Sequence, residues 1–165
     1  DAEIVLIGEA PGFHEDKQGR PFVGPAGQIL DQLLDSIELD RSQVHICNVI
    51  KCRPPGNRDP LPAEIDACAK WLDAQLEAIS PKVIVTLGRH SMSRLIPGTT
   101  ISKCHGTAQR INGRLYFAMY HPAAALHQQS LRQTIEADIL KLPILLTQEN
   151  ELKKAEPESK QLSMF

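Results

Sequence analysis

The apolar run Ile4-Val5-Leu6-Ile7 stops abruptly at Gly8-Glu9-Ala10-Pro11-Gly12. A strand that is apolar throughout, rather than at alternate positions, is covered on both faces. That is the condition of a parallel sheet held between helices. Runs of the same kind recur at 44–50, 82–87 and 115–120. Helical patterns lie between them. Ile29, Leu30, Leu33, Leu34 and Ile37 fall on one helix face over 25–37. Pro62 opens a long helix to Ile79, Gly88 starts a short one to about Leu95, and 129–142 is the last. The alternation predicts an α/β fold, a three-layer αβα arrangement around a central four-stranded parallel sheet. Such sheets bind ligands outside the carboxyl ends of their strands.

The chain has 165 residues, enough for one domain with a real core. The expected division is a globular domain over 1–146 and a flexible tail over 147–165, charged through Lys153, Lys154, Glu156 and Glu158. A net charge of −2 does not announce a nucleic-acid binder, yet a local basic stripe can carry phosphate contacts on a neutral protein. No stretch approaches the ~18 apolar residues that span a membrane. No signal peptide is visible, so a cytoplasmic location is expected; a monomer is expected as well. Only Asp1-Ala2-Glu3 precedes the first strand, without an initiator Met, and further upstream sequence is expected.

If the four strands are parallel, their carboxyl ends gather Glu9, Asn48, Gly88 and His121 on one edge, and Phe22 can fold over them from the loop after the first strand. The inventory suits a pyrimidine base. An Asn side chain has one acceptor and two donors and pairs with an N3–H and O4 edge together. An aromatic face stacks on a base for ~1–3 kcal/mol. A neutral His donates to an oxygen that gains negative charge. The alternative is a pair of ordinary helix-capping turns at 8–12 and 21–27.

Four segments occur in order: Gly8-Glu9-Ala10-Pro11-Gly12, Gly19-Arg20-Pro21-Phe22-Val23-Gly24, Asn48-Val49-Ile50-Lys51-Cys52-Arg53-Pro54-Pro55 and His121-Pro122-Ala123-Ala124-Ala125-Leu126. Together, over roughly residues 3–142, they resemble the family 4 uracil-DNA glycosylases. The resemblance implies that uracil is flipped out of DNA and its glycosidic bond cleaved by water. It implies that Phe22 stacks on uracil, that Asn48 reads its Watson–Crick edge and excludes cytosine, and that His121 stabilises the departing anion at O2. Gly8, Glu9 and Ala10 line the turn near the attacked sugar carbon. His121 and Glu9 are the catalytic candidates, Glu9 because Ala10 stands where family 1 enzymes have a water-orienting Asp. His105, in Ser102-Lys103-Cys104-His105-Gly106, is a second departure. A related branch uses a His to trap the sugar covalently, but it carries an Arg-rich insertion that this chain lacks.

Cys52 and Cys68 are separated by fifteen residues. The resemblance implies that this pair supplies two ligands of a [4Fe–4S] cluster, the other two coming from a Cys-x-x-Cys upstream of the first strand. A cluster of this type needs four thiolates, and only two of the expected four are present. Cys47 reads as a small buried hydrophobe, and Cys104 has no motif behind it. Arg53, Arg58 and Lys103 are candidate phosphate contacts, with ordinary solvated charge as the alternative. Leu126 is the candidate for the space a flipped base leaves, with helix packing as its alternative. The last five residues, Gln161-Leu162-Ser163-Met164-Phe165, resemble the short peptide by which bacterial repair proteins dock on the sliding clamp.

Two other readings stand beside the glycosylase. One is a binding module that holds uracil in DNA without turnover, or traps it covalently. The other is a nucleotide-binding α/β fold, against which no G-x-G-x-x-G or Walker A sequence is present.

Overall fold

The structure is a computed structural model and describes residues 2–155. Five strands form one sheet: β1 (Ile4–Gly8), β2 (His45–Asn48), β3 (Val83–Leu87), β4 (Ala108–Ile111) and β5 (Arg114–Met119). Their order is β2-β1-β3-β5-β4. The first four in that order run parallel, as expected, and β4 adds an antiparallel edge strand beside β5. The four-stranded sheet of the sequence reading is therefore corrected to five strands. β4 escaped because Ala108, Gln109 and Arg110 are exposed and Ile111 only half-buried, so it carries no apolar run. Asn112 and Gly113, at φ +49° and +80°, make the tight hairpin between β4 and β5.

Alternate residues of each strand enter opposite layers. Ile4, Leu6, Val83, Val85, Phe117 and Met119 face α2 (Pro25–Ser36) and α6 (Gln129–Ile139), packing on Leu30, Leu34, Ile135 and Ile139. Val5, Ile7, Ile84 and Tyr116 face the other way, onto Leu72 and Leu76 of α3 (Pro62–Ile79) and Met92 of α4 (Arg89–Leu95). All five residues of β1 are buried. Full burial of such a side chain contributes ~1.5–3 kcal/mol, which makes β1 the anchor of both layers.

Three helices lie outside the expected pattern. α1 (Phe13–Gln18) buries no residue and so has no apolar period; Gly19, in left-handed backbone, ends it. α5 (Ile101–Cys104) is a single turn. α7 (Leu142–Ala155) carries helix through residues 147–155, the first part of the expected tail. Leu142 is fully buried, and the buried Glu149 pairs with Arg110 of β4. The candidate docking peptide 161–165 lies outside the described residues. No helix among the described residues is long and apolar enough to cross a membrane.

Candidate active site

The parallel strands end together. Gly8 is in register with Asn48 on β2, and Gly88 donates its N–H to the Met119 carbonyl at 2.8 Å. A cavity of about 430 Å³ opens on that edge, lined among others by Glu9, Phe22, Asn48, Arg58 and His121. Four of the expected site residues, from four separate segments, thus share one space, and Ala10 is also in its wall. A second hollow of about 370 Å³ lies along the edge of β2, with His45, Lys51 and Gln75 in its wall; it touches Asn48 but not Glu9, Phe22 or His121.

Close approach explains the glycines. A Cβ on Gly8 would stand 2.6 Å from both Asn48 Oδ1 and the Phe22 ring. A Cβ on Gly88 would stand 2.9 Å from that of His121. Asn48 is 6% exposed, and its Oδ1 is buried without a hydrogen-bond partner. Leaving such an acceptor unpaired costs ~1–3 kcal/mol, so the site carries an unused polar group aimed at whatever enters it.

Phe22 sits in left-handed backbone at φ +52°, unusual for an aromatic residue. Its ring stacks on that of His121 with centroids 5.5 Å apart and planes 26° apart. Two residues that sequence reasoning missed hold this turn. Arg41 donates to the Phe22 carbonyl at 2.8 Å and to the Pro21 carbonyl, and is itself tied to Asp31 at 2.9 Å. Glu15 accepts from the N–H groups of Val23 and Gly24 at 3.0 and 2.9 Å. Burial pushes the Glu15 carboxyl up, but the Gly24 and Val23 N–H groups outweigh this and hold it below the usual range. Neither role shows a local signal, because each partnership bridges separate segments.

His121 caps the turn that follows β5. Its Nδ1 accepts the Ala123 N–H at 3.1 Å. The ring proton therefore sits on Nε2, leaving that nitrogen as the donor. Burial pushes the imidazole down to about 4, against the opposing pull of Glu15, so the ring is neutral near pH 7. Glu9 is the reverse case. Burial raises its carboxyl above the usual range, His90 draws it back, Asp59 raises it further and Arg89 again lowers it.

Among the DNA-contact candidates, Arg58 reaches the cavity wall but is paired with Glu64 through both terminal nitrogens, at 2.7 and 2.9 Å. Arg53 donates to Asn57 at 2.7 Å and lies over the exposed Phe13 ring. Lys103 is exposed on α5, and Leu126 is 44% exposed at the end of the turn after His121; neither lines the cavity. His105 also lies outside the cavity wall and pairs instead with the buried Asp138 at 2.8 Å.

Cys52 is exposed and Cys68 half-buried on α3, while Cys47 and Cys104 are buried. Burial pushes the Cys47 thiol up to about 11, against thiolate formation. Cys104 lies 3.2 Å from the Met92 sulfur. Among the described residues, no third Cys, His, Asp or Glu joins Cys52 and Cys68 as a ligand set. The pair offers two thiolates where a [4Fe–4S] cluster takes four, so these residues alone do not fit the group.

The carboxyl edge of the α/β sheet thus presents an unpaired amide oxygen, an aromatic ring and a neutral imidazole to one cavity. The model of the uracil DNA glycosylase superfamily matches residues 1–141, and the chain belongs to that superfamily. Within it the resemblance is to the type-4 enzymes. The chain is 46% identical over 153 residues to the type-4 uracil-DNA glycosylase of Sulfurisphaera tokodaii, covering 86% of this chain and 69% of that protein. It is 47% identical over 150 residues to that of Archaeoglobus fulgidus (86% and 75%), and 43% identical over 154 residues to that of Thermotoga maritima (90% and 80%). It is accordingly a DNA glycosylase, a hydrolase of N-glycosyl bonds.

Proposed function

We propose that this chain flips a uridine out of DNA into the cavity of Glu9, Phe22, Asn48 and His121 and hydrolyses its glycosidic bond. The observation that carries the reading is the unpaired, buried Oδ1 of Asn48 beside the Phe22 ring. That acceptor takes the N3–H of uracil, and the Asn48 amide N–H donates to O4. Cytosine meets the same amide with its own N4 donor, and mismatched polar groups left unpaired discriminate strongly. Phe22 covers the base, while Gly8 and Ala10 form the turn beside the sugar.

The bond between C1′ and N1 breaks with its electron pair passing to uracil, so that charge grows on O2. Nε2–H of His121 donates to that oxygen. A neutral donor suits this step, because it stabilises the anion without surrendering a proton. Water adds its oxygen to C1′, its proton passes to the Glu9 carboxylate, and uracil takes up a proton on release. The products are free uracil and an abasic site. Arg53, Arg58 and Lys103 take phosphates, Arg58 by exchanging Glu64, and Leu126 fills the space left in the stack.

The test is release of free uracil from a short oligonucleotide with an abasic product. Binding without release would favour the non-catalytic reading. A stable protein–DNA adduct would favour covalent trapping, for which His105 is poorly placed beside Asp138. We further propose that Cys52 and Cys68 are two ligands of a [4Fe–4S] site, the alternative being that the cluster is lost in this chain, and that Gln161–Phe165 docks on a sliding clamp.

A further inference from the structure

His90 is the second residue of α4, immediately beyond the Gly88 turn that brings this helix against His121. Its Nε2 is buried and has no hydrogen-bond partner. The nearest charges to it are two carboxylates, Glu9 Oε2 at 3.6 Å and Asp59 Oδ1 at 3.5 Å. Both are acceptors, so the ring proton belongs on Nε2, where a small rotation of the imidazole completes either hydrogen bond. Asp59 is anchored from its other side, its Oδ2 lying 2.6 Å from the Arg89 guanidinium. Arg89 thus engages Asp59 through Oδ2, and His90 stands between Asp59 Oδ1 and Glu9 Oε2, of which Glu9 is the one in the cavity wall. The remaining titratable or charged groups in the cavity wall are Glu15, Arg58 and His121, and each is engaged elsewhere: with the Val23 and Gly24 amides, with Glu64, and with the Ala123 amide.

We propose that His90 is the positioning residue for Glu9, holding its carboxylate toward the cavity through Nε2–H, with Asp59 and Arg89 completing the chain of contacts. The proposal rests on Glu9 as the acceptor of the water's proton. It accounts for the chain of contacts that runs from Arg89 to Asp59 to His90 to Glu9 at the edge of the cavity. It also assigns opposite effects to neighbours of Glu9: His90 favours its ionised form, and Asp59 disfavours it.

The experiment follows the Glu9 carboxyl by ¹³C NMR across pH in the intact chain. His90→Ala should raise the Glu9 midpoint by about half a pH unit or more. Asp59→Asn, at an exposed position with little bearing on folding, should move it the other way. Single-turnover uracil release at the high-pH plateau should fall about tenfold in His90→Ala, and His90→Gln, whose amide N–H reaches the same carboxylate, should recover most of it. A Glu9 midpoint unmoved by His90→Ala, or moved the same way by Asp59→Asn, overturns the proposal. If the midpoints move as stated while Glu9→Gln keeps the full rate, then His90 does hold Glu9 and the assignment of Glu9 as base is what fails.

Discussion

Gly27 lies directly against the carbonyl of Phe22: a Cβ added at Gly27 would stand 1.9 Å from that oxygen. The start of α2 therefore leaves room for the left-handed turn that aims the Phe22 ring, and Arg41 ties the same carbonyl from the other side. Strain at such a position costs on the order of 1–3 kcal/mol and persists only where surroundings enforce it. Gly27→Ala should displace Phe22, lower the thermal midpoint and slow uracil release more than tenfold. A variant with wild-type rate would show that the Phe22 ring does not need this turn.

Asn48→Asp should relax base choice toward cytosine, since a carboxylate accepts from the N4 amino group that the amide opposes. Release of cytosine and uracil from matched oligonucleotides measures it. Asn48→Ala should lose both activities. Should it keep uracil release and selectivity, Asn48 only closes the strand end.

His121→Ala should lower the single-turnover rate by about 10²–10³, the usual cost of one donor to a developing anion, with a far smaller loss in DNA affinity. The same residue sets an acid dependence of folding. Its folded value of about 4 lies below the ordinary 6.5, so the unfolded chain binds the extra proton between those limits. Stability is therefore whole above pH 6.5, declines as pH falls and levels off below 4, a loss on the order of 3 kcal/mol. Urea melts across this range should show the decline, and His121→Gln should flatten it.

Much of this was legible in the chain itself, for a physical reason. A strand buried on both faces must be apolar throughout, so β1, β3 and β5 declare themselves, and the turns that end them carry Glu9, Gly88 and His121. β4 and α1 are partly or wholly exposed, and exposure erases periodicity. α7 hid behind the charges of its last turns, although Leu142 and Glu149 are buried. Glu15, Arg41, Gly27 and His90 act through partners in other segments, and no local pattern reports a contact made across the fold.

Cys52 and Cys68 should not suffice for a cluster. The chain as given should bind no complete [4Fe–4S] group, and a Cys-x-x-Cys added ahead of Asp1 should bring iron and brown colour. Cys52→Ser or Cys68→Ser in that longer protein should remove both. Four irons per chain without the addition would implicate Cys47 and Cys104, despite their burial.

Deleting residues 161–165 should abolish association with a sliding clamp and leave uracil release from short oligonucleotides unchanged. The side chains of Leu162 and Phe165 are the expected anchors, and Gln161 the polar contact. Slower release from short DNA after the deletion would place these residues in the chemistry instead.

The strand order β2-β1-β3-β5-β4 also bears on biosynthesis. Glu9 emerges from the ribosome well before His121, and β3 must be in place between β1 and β5 before the two residues share a cavity. Long-range pairings of this kind form late. A nascent or truncated chain that stops short of β5 carries Glu9 and Asn48 but neither His121 nor the strand that pairs with β3, so the wall of the cavity stays incomplete until the sheet is whole.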